Sequence, residues 1–349
     1  MLRVIKNSIH KIKLWKKIVW KNKSDTKINF FTKCLYAFRG FSETEYIRYQ
    51  LNKNDYREYI SEFERLQSRE INGQYKLILD NKILFEEIFA KYTKVPTNYA
   101  WISNGIFYPL HDYPYSNADI ISFLFSVGKT VLKWLDSGGG YDTYVIDPID
   151  NQIIVNGLEY SNEDVLKLFE RKGNAILCEY INQSDFSASL YPHTTNTLRI
   201  VCAKYKGEKN ATTIAAVQRI GRECSIPVDN AHAGGLTCEI DLKTGIIGAG
   251  VSYFGPSKNR KIFYDNHPDT NSPIKGIRIP NWDNLIQEIE ALTNKFPYLN
   301  FVAWDVLLTN NGYCIIEGNA SSGCGLFQMT EGVRNKSLGN IYRSYGIIK

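Results

Sequence analysis

The 349-residue sequence contains no apolar run that approaches the ~20 residues of a membrane-spanning helix. It has no Cys-x-x-Cys pair, and its seven cysteines are an odd number. Most of them stand in apolar stretches, so the sequence predicts buried free thiols in a reducing, cytoplasmic compartment and disfavours a zinc site. Repeats and low-complexity linkers are also missing, while aromatic residues are plentiful, which indicates a globular protein of two or three lobes.

Acidic residues are absent from residues 1–23, which hold eight basic ones. Subtracting these eight from the 42 basic residues leaves a number that nearly balances the 36 acidic residues. The rest of the chain is therefore close to neutral, and a basic surface that binds nucleic acid is not expected. Apolar residues, including Trp15 and Trp20, recur at helical spacing between the lysines, which predicts a basic amphipathic helix. Such a helix suits an anionic membrane surface, here the inner face, but a solvated tail or a partner-docking helix fits equally well.

Helical and extended patterns intermix after this basic segment. Ser42-Glu-Thr-Glu45 is a capping pattern that opens one or two surface helices up to about Glu70, and Asn81–Tyr92 has the apolar stripe of another helix. Between them, Lys76–Asp80 is short, apolar and predicted to be extended. Strands and helices then mix up to about residue 335, so the predicted fold class is α+β.

Two apolar, β-prone stretches near the end of the chain flank an Asn-Gly turn, which is a strong signal for a β-hairpin. They are Phe301–Leu308 and Tyr313–Asn319. Three polar residues stand inside them, where burial is costly without partners. These are Asp305, Glu317 and Asn319.

The length of the turn decides whether Asp305 faces the other two polar side chains, because a shift of one residue moves a side chain to the opposite face. A two-residue loop ending at Gly312 would put Asp305 on the wrong face. A three-residue loop with Gly312 in the left-handed conformation pairs Thr309 with Tyr313 and Asp305 with Glu317. Adjacent carboxylates repel unless a cation lies between them, so this register predicts an all-oxygen site suited to Mg²⁺. Solvent-facing acids on an edge hairpin are the alternative.

Other stretches have features of a nucleotide site. Thr130–Leu135 is a buried-strand pattern interrupted by Lys133, which needs an anion there. Residues 138–140 are three glycines whose N–H groups could approach phosphate, although a plain flexible hairpin is the simpler interpretation. The triplet matches neither the Walker loop nor the G-x-G-x-x-G fingerprint. Ala175–Ile181 is a core-strand pattern whose exit could present backbone groups to adenine.

Arginines occur in two of the later strand patterns. Arg199 lies in an apolar strand that follows His193 and Asn196, and Arg219 has similar surroundings. A guanidinium in such a strand pairs with a carboxylate or with a phosphate. Phosphate is favoured here because Lys133 and the acids indicate ATP.

A polar turn further on either contacts substrate or merely turns the chain. It contains Asp229, Asn230, Gly234 and Gly235. His232 and His267 have neither zinc spacing nor a nucleophile context, so neither is assigned to catalysis.

Several short motifs, taken in order, resemble those of the sugar-transfer-associated ATP-grasp family, which is linked to polysaccharide biosynthesis. They are LDNKILF (79–85), NTLRIV (196–201), RIG (219–221), VDNAHAGG (228–235), IDLKTG (240–245), HP (267–268), IPNW (279–282), WDV (304–306) and IEGN (316–319). The resemblance implies an ATP-grasp fold, in which two α+β lobes clasp ATP. The implied first lobe, with a glycine-rich lid, spans 76–182, and the C-terminal lobe with the metal site spans 183–335. The basic segment 1–23 and a helical region over 24–75 would precede these lobes, and a tail over 336–349 would follow them.

The resemblance also implies roles for individual residues. Contacts with ATP would come from Lys133, Lys82, the lid glycines Gly138, Gly139 and Gly140, the adenine linker Glu179, Tyr180 and Ile181, and Gln183 or Asp185 near the ribose. Two Mg²⁺ ions would be held by Asp305, Glu317 and Asn319. Substrate would be bound by His193, Asn196, Asp229, Asn230, Gly234 and Gly235.

One position departs from the superfamily pattern. Many carboxylate–amine ligases of the superfamily have an arginine two residues before the first metal aspartate, and Ala303 stands there in this sequence. Arg199 or Arg219 would then supply the missing charge from another strand. Together with Lys133, these arginines are the implied catalytic residues.

The activity that the resemblance implies is that of an ATP-dependent carboxylate–amine ligase acting through an acyl phosphate. It would attach an amino acid or amine to a sugar acid, free or linked to nucleotide or lipid, in surface polysaccharide biosynthesis. One alternative is a phosphotransferase on the same fold, in which a sugar hydroxyl takes the γ-phosphoryl group. Another is a non-catalytic, membrane-associated nucleotide-binding protein, which the retention of all three presumed metal ligands disfavours.

Overall fold

The computed structural model describes residues 12–22, 28–111, 120–135, 142–253 and 260–349. Among these residues, a helical N-terminal region precedes two antiparallel sheets of seven strands each. This mixture confirms the predicted α+β class. Within the described ranges, no helix is both long enough and apolar enough to span a membrane. The seven cysteines are free thiols, and most of them are buried, as predicted.

The N-terminal region is built from short helices. They are a π-helical turn at Lys16–Trp20, α1 (Phe30–Phe38), α2 (Glu43–Arg48), α3 (Glu62–Gln67), α4 (Lys76–Asp80) and α5 (Lys82–Phe89), with 3₁₀ turns at Tyr56–Glu58 and Ser68–Tyr75. The predicted capping box is present at the start of α2, where the Ser42 hydroxyl accepts a hydrogen bond of 3.3 Å from the Glu45 N–H.

The prediction that Lys76–Asp80 is extended is wrong, because this segment is the helix α4. A short apolar run is compatible with either a strand or a buried helical turn, and periodicity alone does not separate them. Here Leu79 is fully buried and lies against Gly318 in the second sheet, so a single helical turn is enough to bury the apolar side chain.

The first sheet uses the strands between residues 98 and 179. They are β1 (Asn98–Ser103), β2 (Ile106–Pro109), β3 (Thr130–Trp134), β4 (Thr143–Ile149), β5 (Gln152–Val155), β6 (Leu158–Tyr160) and β7 (Asn174–Glu179), in the order β2-β1-β7-β3-β4-β5-β6. The helices α6 (Ile120–Val127) and α7 (Asn162–Phe169) share one apolar core with this sheet.

The second sheet contains the predicted hairpin. Its strands are β8 (Leu198–Ala203), β9 (Thr212–Ile220), β10 (Leu236–Ile240), β11 (Ile247–Ser252), β12 (Ile262–Tyr264), β13 (Phe301–Thr309) and β14 (Gly312–Asn319), in the order β12-β11-β10-β9-β8-β13-β14. The remaining α-helices are α8 (Asp185–Leu190), α9 (Trp282–Asn294) and α10 (Ser337–Ser344), with 3₁₀ turns at Glu223–Ser225, Ala231–Ala233 and Cys324–Leu326.

Strand β13 is buried on both faces, which explains its continuous apolar character. Its even-numbered residues, such as Trp304, belong to the core that includes α9. Its odd-numbered residues Phe301 and Ala303 belong to a second core with α10. Asp305 follows on that odd-numbered face, because side chains alternate along a strand.

Candidate active site

The β13–β14 hairpin has a tighter turn than predicted. Thr309 pairs with Gly312, so the loop is the two residues 310–311, and the predicted pairing of Thr309 with Tyr313 is wrong. A β-bulge then makes Ile316 an extra residue on β14. Beyond the bulge the register has shifted by one, and Asp305 pairs with Glu317 as predicted. The bulge, rather than the loop length, therefore puts both carboxylates on one face.

Asp305 is the buried centre of this face, with 3% of its surface exposed. It lies opposite Arg199 on the neighbouring strand β8. Arg199 donates to both carboxylate oxygens, with 3.0 Å between Nη2 and Oδ2, and Arg219 Nη2 donates to Oδ2 at 3.1 Å. Burial raises the pKa of Asp305, and the two guanidinium groups oppose that rise. The sequence favoured phosphate as the partner of these two arginines. In the structure both of them pair with a carboxylate.

Glu317 is paired with Lys82, the first residue of α5. Burial alone would raise the pKa of Glu317, but the Lys82 ammonium group lowers it well below its ordinary value. The Asn319 amide nitrogen donates to Glu317 Oε1 at 3.3 Å and to the Ala303 carbonyl oxygen at 3.2 Å. The amide oxygen is the atom of Asn319 that could bind a cation.

Repulsion between the two acids is therefore balanced by cations of the protein itself. In the described part of the chain, no group of three or more His, Cys, Asp or Glu side chains could hold a metal ion. The candidate set instead combines Asp305 and Glu317 with the amide of Asn319. These oxygen donors fit a hard divalent cation, and Glu317 and Asn319 are partly exposed. A metal ion at Glu317 would have to compete with Lys82 for that carboxylate.

Lys133 lies on β3, opposite Ile176 of β7. Together with Lys82, Cys178 and Ile316 it lines a small cavity between the first sheet and the hairpin. The positive charge of Lys133 also contributes to the low pKa of Glu317. The structure thus brings together the two lysines for which the family resemblance implies contacts with ATP.

The predicted adenine linker leaves the end of β7. The Glu179 N–H donates to the Thr97 carbonyl oxygen at 2.8 Å, and the Lys129 ammonium lies 4.5 Å from the centre of the Tyr180 ring. Ile181 is buried against residues of the β13–β14 hairpin. The segment therefore connects the two sheets at one edge of the cavity. The lid glycines Gly138, Gly139 and Gly140 lie outside the described residues.

The two candidates for the ribose contact differ in their surroundings. Gln183 Oε1 accepts from the Asn196 backbone and side chain, both at 3.0 Å, and Gln183 Nε2 donates to the Tyr191 carbonyl oxygen. Both ends of Gln183 are therefore held within the protein, and so is Asn196. Asp185 is exposed at the start of α8 and receives a hydrogen bond of 3.3 Å from Asn310.

The predicted substrate turn is tied to the charged cluster. Asp229 accepts from the Thr197 N–H at 2.8 Å and lies 3.4 Å from Arg219 Nη2. Asn230 caps the 3₁₀ turn that follows. A Cβ added at Gly235 would lie 2.6 Å from the Asp229 carbonyl oxygen, so this close approach requires glycine. Gly234 has a φ of 108°, in the left-handed region that favours glycine. His193, which lies outside this turn, is exposed.

The N-terminal region contributes residues that no sequence pattern had singled out. Arg65 of α3 donates to the Ser321 hydroxyl at 3.1 Å, and Arg199 donates to the Ser322 hydroxyl at 3.0 Å. A Cβ added at Gly325 would lie 2.8 Å from Arg48 Nη1, so α2 also reaches this loop. The capping pattern at Ser42 predicted one or two helices here but not the faces that contact the loop after β14. Contacts so distant in sequence have no local signal.

A comparison with models of protein families identifies the family of this chain. The family model described as sugar-transfer associated ATP-grasp matches residues 63–342. No curated protein matches the chain. Similar solved structures include the ATP-grasp ligase PsnB complexed with a precursor peptide and AMPPNP, at 11% identity and a TM-score of 0.36 over 72% of this chain and 54% of that one. D-alanine–D-alanine ligase from Bacillus anthracis complexed with ATP has 13% identity and a TM-score of 0.36 over 76% of this chain and 66% of that one.

A further similar structure is N5-carboxyaminoimidazole ribonucleotide synthetase from Thermotoga maritima, at 13% identity and a TM-score of 0.34 over 70% of this chain and 42% of that one. The chain thus spans from under half to about two thirds of the length of these structures. The family model covers most of the chain, so this protein belongs to the sugar-transfer associated ATP-grasp family and has the α+β ATP-grasp fold.

Proposed function

We propose that this protein is an ATP-dependent ligase that joins a carboxylate to an amine through an acyl phosphate. The observation that carries the proposal is the convergence of Asp305 and Glu317 with four basic side chains between the two sheets. Membership of a family named for sugar transfer supports a sugar acid as the carboxylate and a role in surface polysaccharide biosynthesis. We further propose a cytoplasmic location, where ATP is available.

Nucleotide would occupy the cavity beside Lys133 and Lys82, whose ammonium groups would bind the phosphates. Residues 138–140 would cover the triphosphate, and residues 179–181 would contact the adenine. Of the two ribose candidates we favour Asp185, because Gln183 already uses both ends of its amide within the protein.

Two Mg²⁺ ions would be held by Glu317, Asn319 and Asp305, and bound metal would neutralise negative charge on the phosphates. The chain's own basic groups would complete this neutralisation. Arg199 and Arg219 lie on the same face as the acids, where guanidinium groups can hold the oxygens of the transferred phosphoryl group. This arrangement would replace the arginine that is missing at Ala303.

The reaction would proceed in two balanced steps. A carboxylate oxygen of the sugar acid forms a bond to the γ-phosphorus while the bond to the bridging oxygen breaks, which releases ADP and gives an acyl phosphate. The amine nitrogen then bonds to the acyl carbon, inorganic phosphate leaves, and the nitrogen loses a proton. Covering the site would exclude water, which would otherwise hydrolyse the acyl phosphate.

The sugar acid would lie toward the turn that contains Asp229, Asn230, Gly234 and Gly235, with the exposed His193 and the buried Asn196 near its edge. Arg48 and Arg65 reach the loop that follows Asn319. An anionic substrate suits this position because both helices present guanidinium groups to it.

The decisive experiment measures ADP release with a panel of sugar acids, free or linked to nucleotide or lipid, together with pooled amino acids. A ligase requires both the sugar acid and the amine for turnover, yields a hydroxamate when hydroxylamine is added, and gives a conjugate detectable by mass spectrometry. The Glu317→Gln variant serves as the inactive control. ADP release that needs a sugar but no amine, without hydroxamate, would instead identify a phosphotransferase. Nucleotide binding without any turnover would indicate a non-catalytic protein.

A further inference from the structure

Helix α1 turns its apolar face outward. Phe31, Leu35 and Phe38 stand at positions i, i+4 and i+7, so they share one side of the helix. Their exposed fractions are 84%, 50% and 92%, and the adjacent Phe30 is 65% exposed. Isolated exposed apolar residues are ordinary, but a continuous row of large ones indicates an interaction surface.

The opposite side of α1 is held in place by the rest of the protein. The Trp15 indole N–H donates to the Ala37 carbonyl oxygen at 3.0 Å, and Lys33 pairs with Glu43 at 2.6 Å. The Tyr36 hydroxyl donates to the Leu51 carbonyl oxygen at 2.7 Å. The helix is therefore packed on one side, and its outward apolar row is not the result of a detached segment.

Positive charge accompanies this apolar row. The Trp15 hydrogen bond joins α1 to the preceding helical segment, which carries exposed lysines. These are Lys13, Lys16, Lys17 and Lys21. Residues 1–23 contain eight basic groups and no acid. Apolar side chains together with a surplus of lysine complement an anionic lipid surface, in which rings enter the interface and lysines meet lipid phosphates and carboxylates.

We propose that α1 and the lysine-bearing segment beside it form a surface that docks the enzyme onto an anionic bilayer, with α1 lying in the plane of the interface. A second copy of the chain is a weaker candidate for the same surface. Two copies joined through α1 would bring two lysine-rich segments together, and their like charges would repel. This inference is independent of the reaction proposed above.

The test is co-sedimentation of the full chain with vesicles of phosphatidylcholine alone or mixed with phosphatidylserine. Wild-type protein should bind only the mixed vesicles, and added salt should weaken the binding. Phe31→Ser combined with Phe38→Ser should weaken it by roughly tenfold or more, because both rings lose their place in the interface. Replacing Lys13 and Lys17 by glutamine should weaken it by roughly fivefold per lysine.

The matched control replaces two exposed apolar residues on the edges of the first sheet, Leu158→Ser and Ile106→Ser, which are 66% and 53% exposed. This control should bind vesicles like the wild type, and circular dichroism should show an unchanged fold in every variant. Unaltered vesicle binding by the Phe31/Phe38 variant would overturn the proposal. So would sedimentation equilibrium showing a dimer that the same variant disrupts, in the absence of vesicle binding.

Discussion

Replacing Asp305 by asparagine should destabilise the protein strongly, whereas the equivalent change at Glu317 should not. Both substitutions remove one negative charge and keep nearly the same shape. The side chain of Asp305 is 4% exposed, and its partners Arg199 and Arg219 are 9% and 15% exposed. In the variant Arg199 would lie buried beside a neutral amide, whereas Arg219 would keep Asp229 at 3.4 Å as a carboxylate partner.

The expected cost follows from this difference in burial. Removing one member of a buried charge cluster costs about 3–5 kcal/mol, because the remaining charges lose their compensation. Glu317 and Lys82 have side-chain exposures of 26% and 22%, so water can solvate the lysine left by Glu317→Gln. That substitution should cost about 1 kcal/mol, the upper end of the range for solvent-exposed ion pairs.

Urea denaturation followed by far-UV circular dichroism measures both free energies of unfolding under the same conditions. ADP release should be lost in both variants. The Glu317 variant should therefore lose activity but keep most of its stability, whereas the Asp305 variant should lose both. An Asp305→Asn protein within about 1 kcal/mol of the wild type would contradict the reasoning, because a buried pair of arginines could not then depend on that carboxylate.

Three further predictions concern single sites. Because the folded-state pKa of Glu317 lies below the ordinary value of 4.5, its ionised form stabilises the fold above that pH. The stability advantage of wild type over Glu317→Gln should therefore shrink in urea titrations as the pH falls below 4.5. Lys133→Ala should weaken ATP binding by roughly tenfold or more in calorimetry, and unchanged affinity would remove this lysine from the site. Gly235→Ala should lower the free energy of unfolding by about 1–3 kcal/mol, because its Cβ meets a backbone oxygen. The control Gly323→Ala, whose Cβ meets nothing within 4 Å, should be neutral in the same denaturation assay.

The predictable parts of this protein were those with a local signal. Ser42 with Glu45 marked a helix start, and two apolar stretches around an Asn-Gly turn marked the β13–β14 hairpin. The two-residue spacing of Glu317 and Asn319 marked their shared face. The pairing of Asp305 with Glu317 was predicted correctly but through a wrong loop length. A β-bulge at Ile316 compensated for the shorter turn, and a bulge inside an apolar run leaves no mark in residue type.

The unpredictable parts depend on contacts between distant segments. Lys82 and Glu317 are 235 residues apart in the chain, and Arg65 and Ser321 are 256 apart. No periodicity or spacing within a window of sequence reports such a contact. The sequence also left the partners of Arg199 and Arg219 undecided, because an arginine in an apolar strand is equally suited to a phosphate and to a carboxylate.

The charge balance of the site also suggests the order in which its ligands bind. Each acid of the candidate metal site is already paired with basic groups, Asp305 with two arginines and Glu317 with Lys82, so a bare divalent cation has to compete with them. A triphosphate, by contrast, is attracted by Lys82 and Lys133 in the cavity. Phosphate oxygens can draw Lys82 away from Glu317, and only then is that carboxylate available to a metal ion. Calorimetry should accordingly detect no binding of Mg²⁺ alone but clear binding of Mg²⁺ once ATP is present. Tight binding of Mg²⁺ without nucleotide would show that Lys82 does not compete for Glu317.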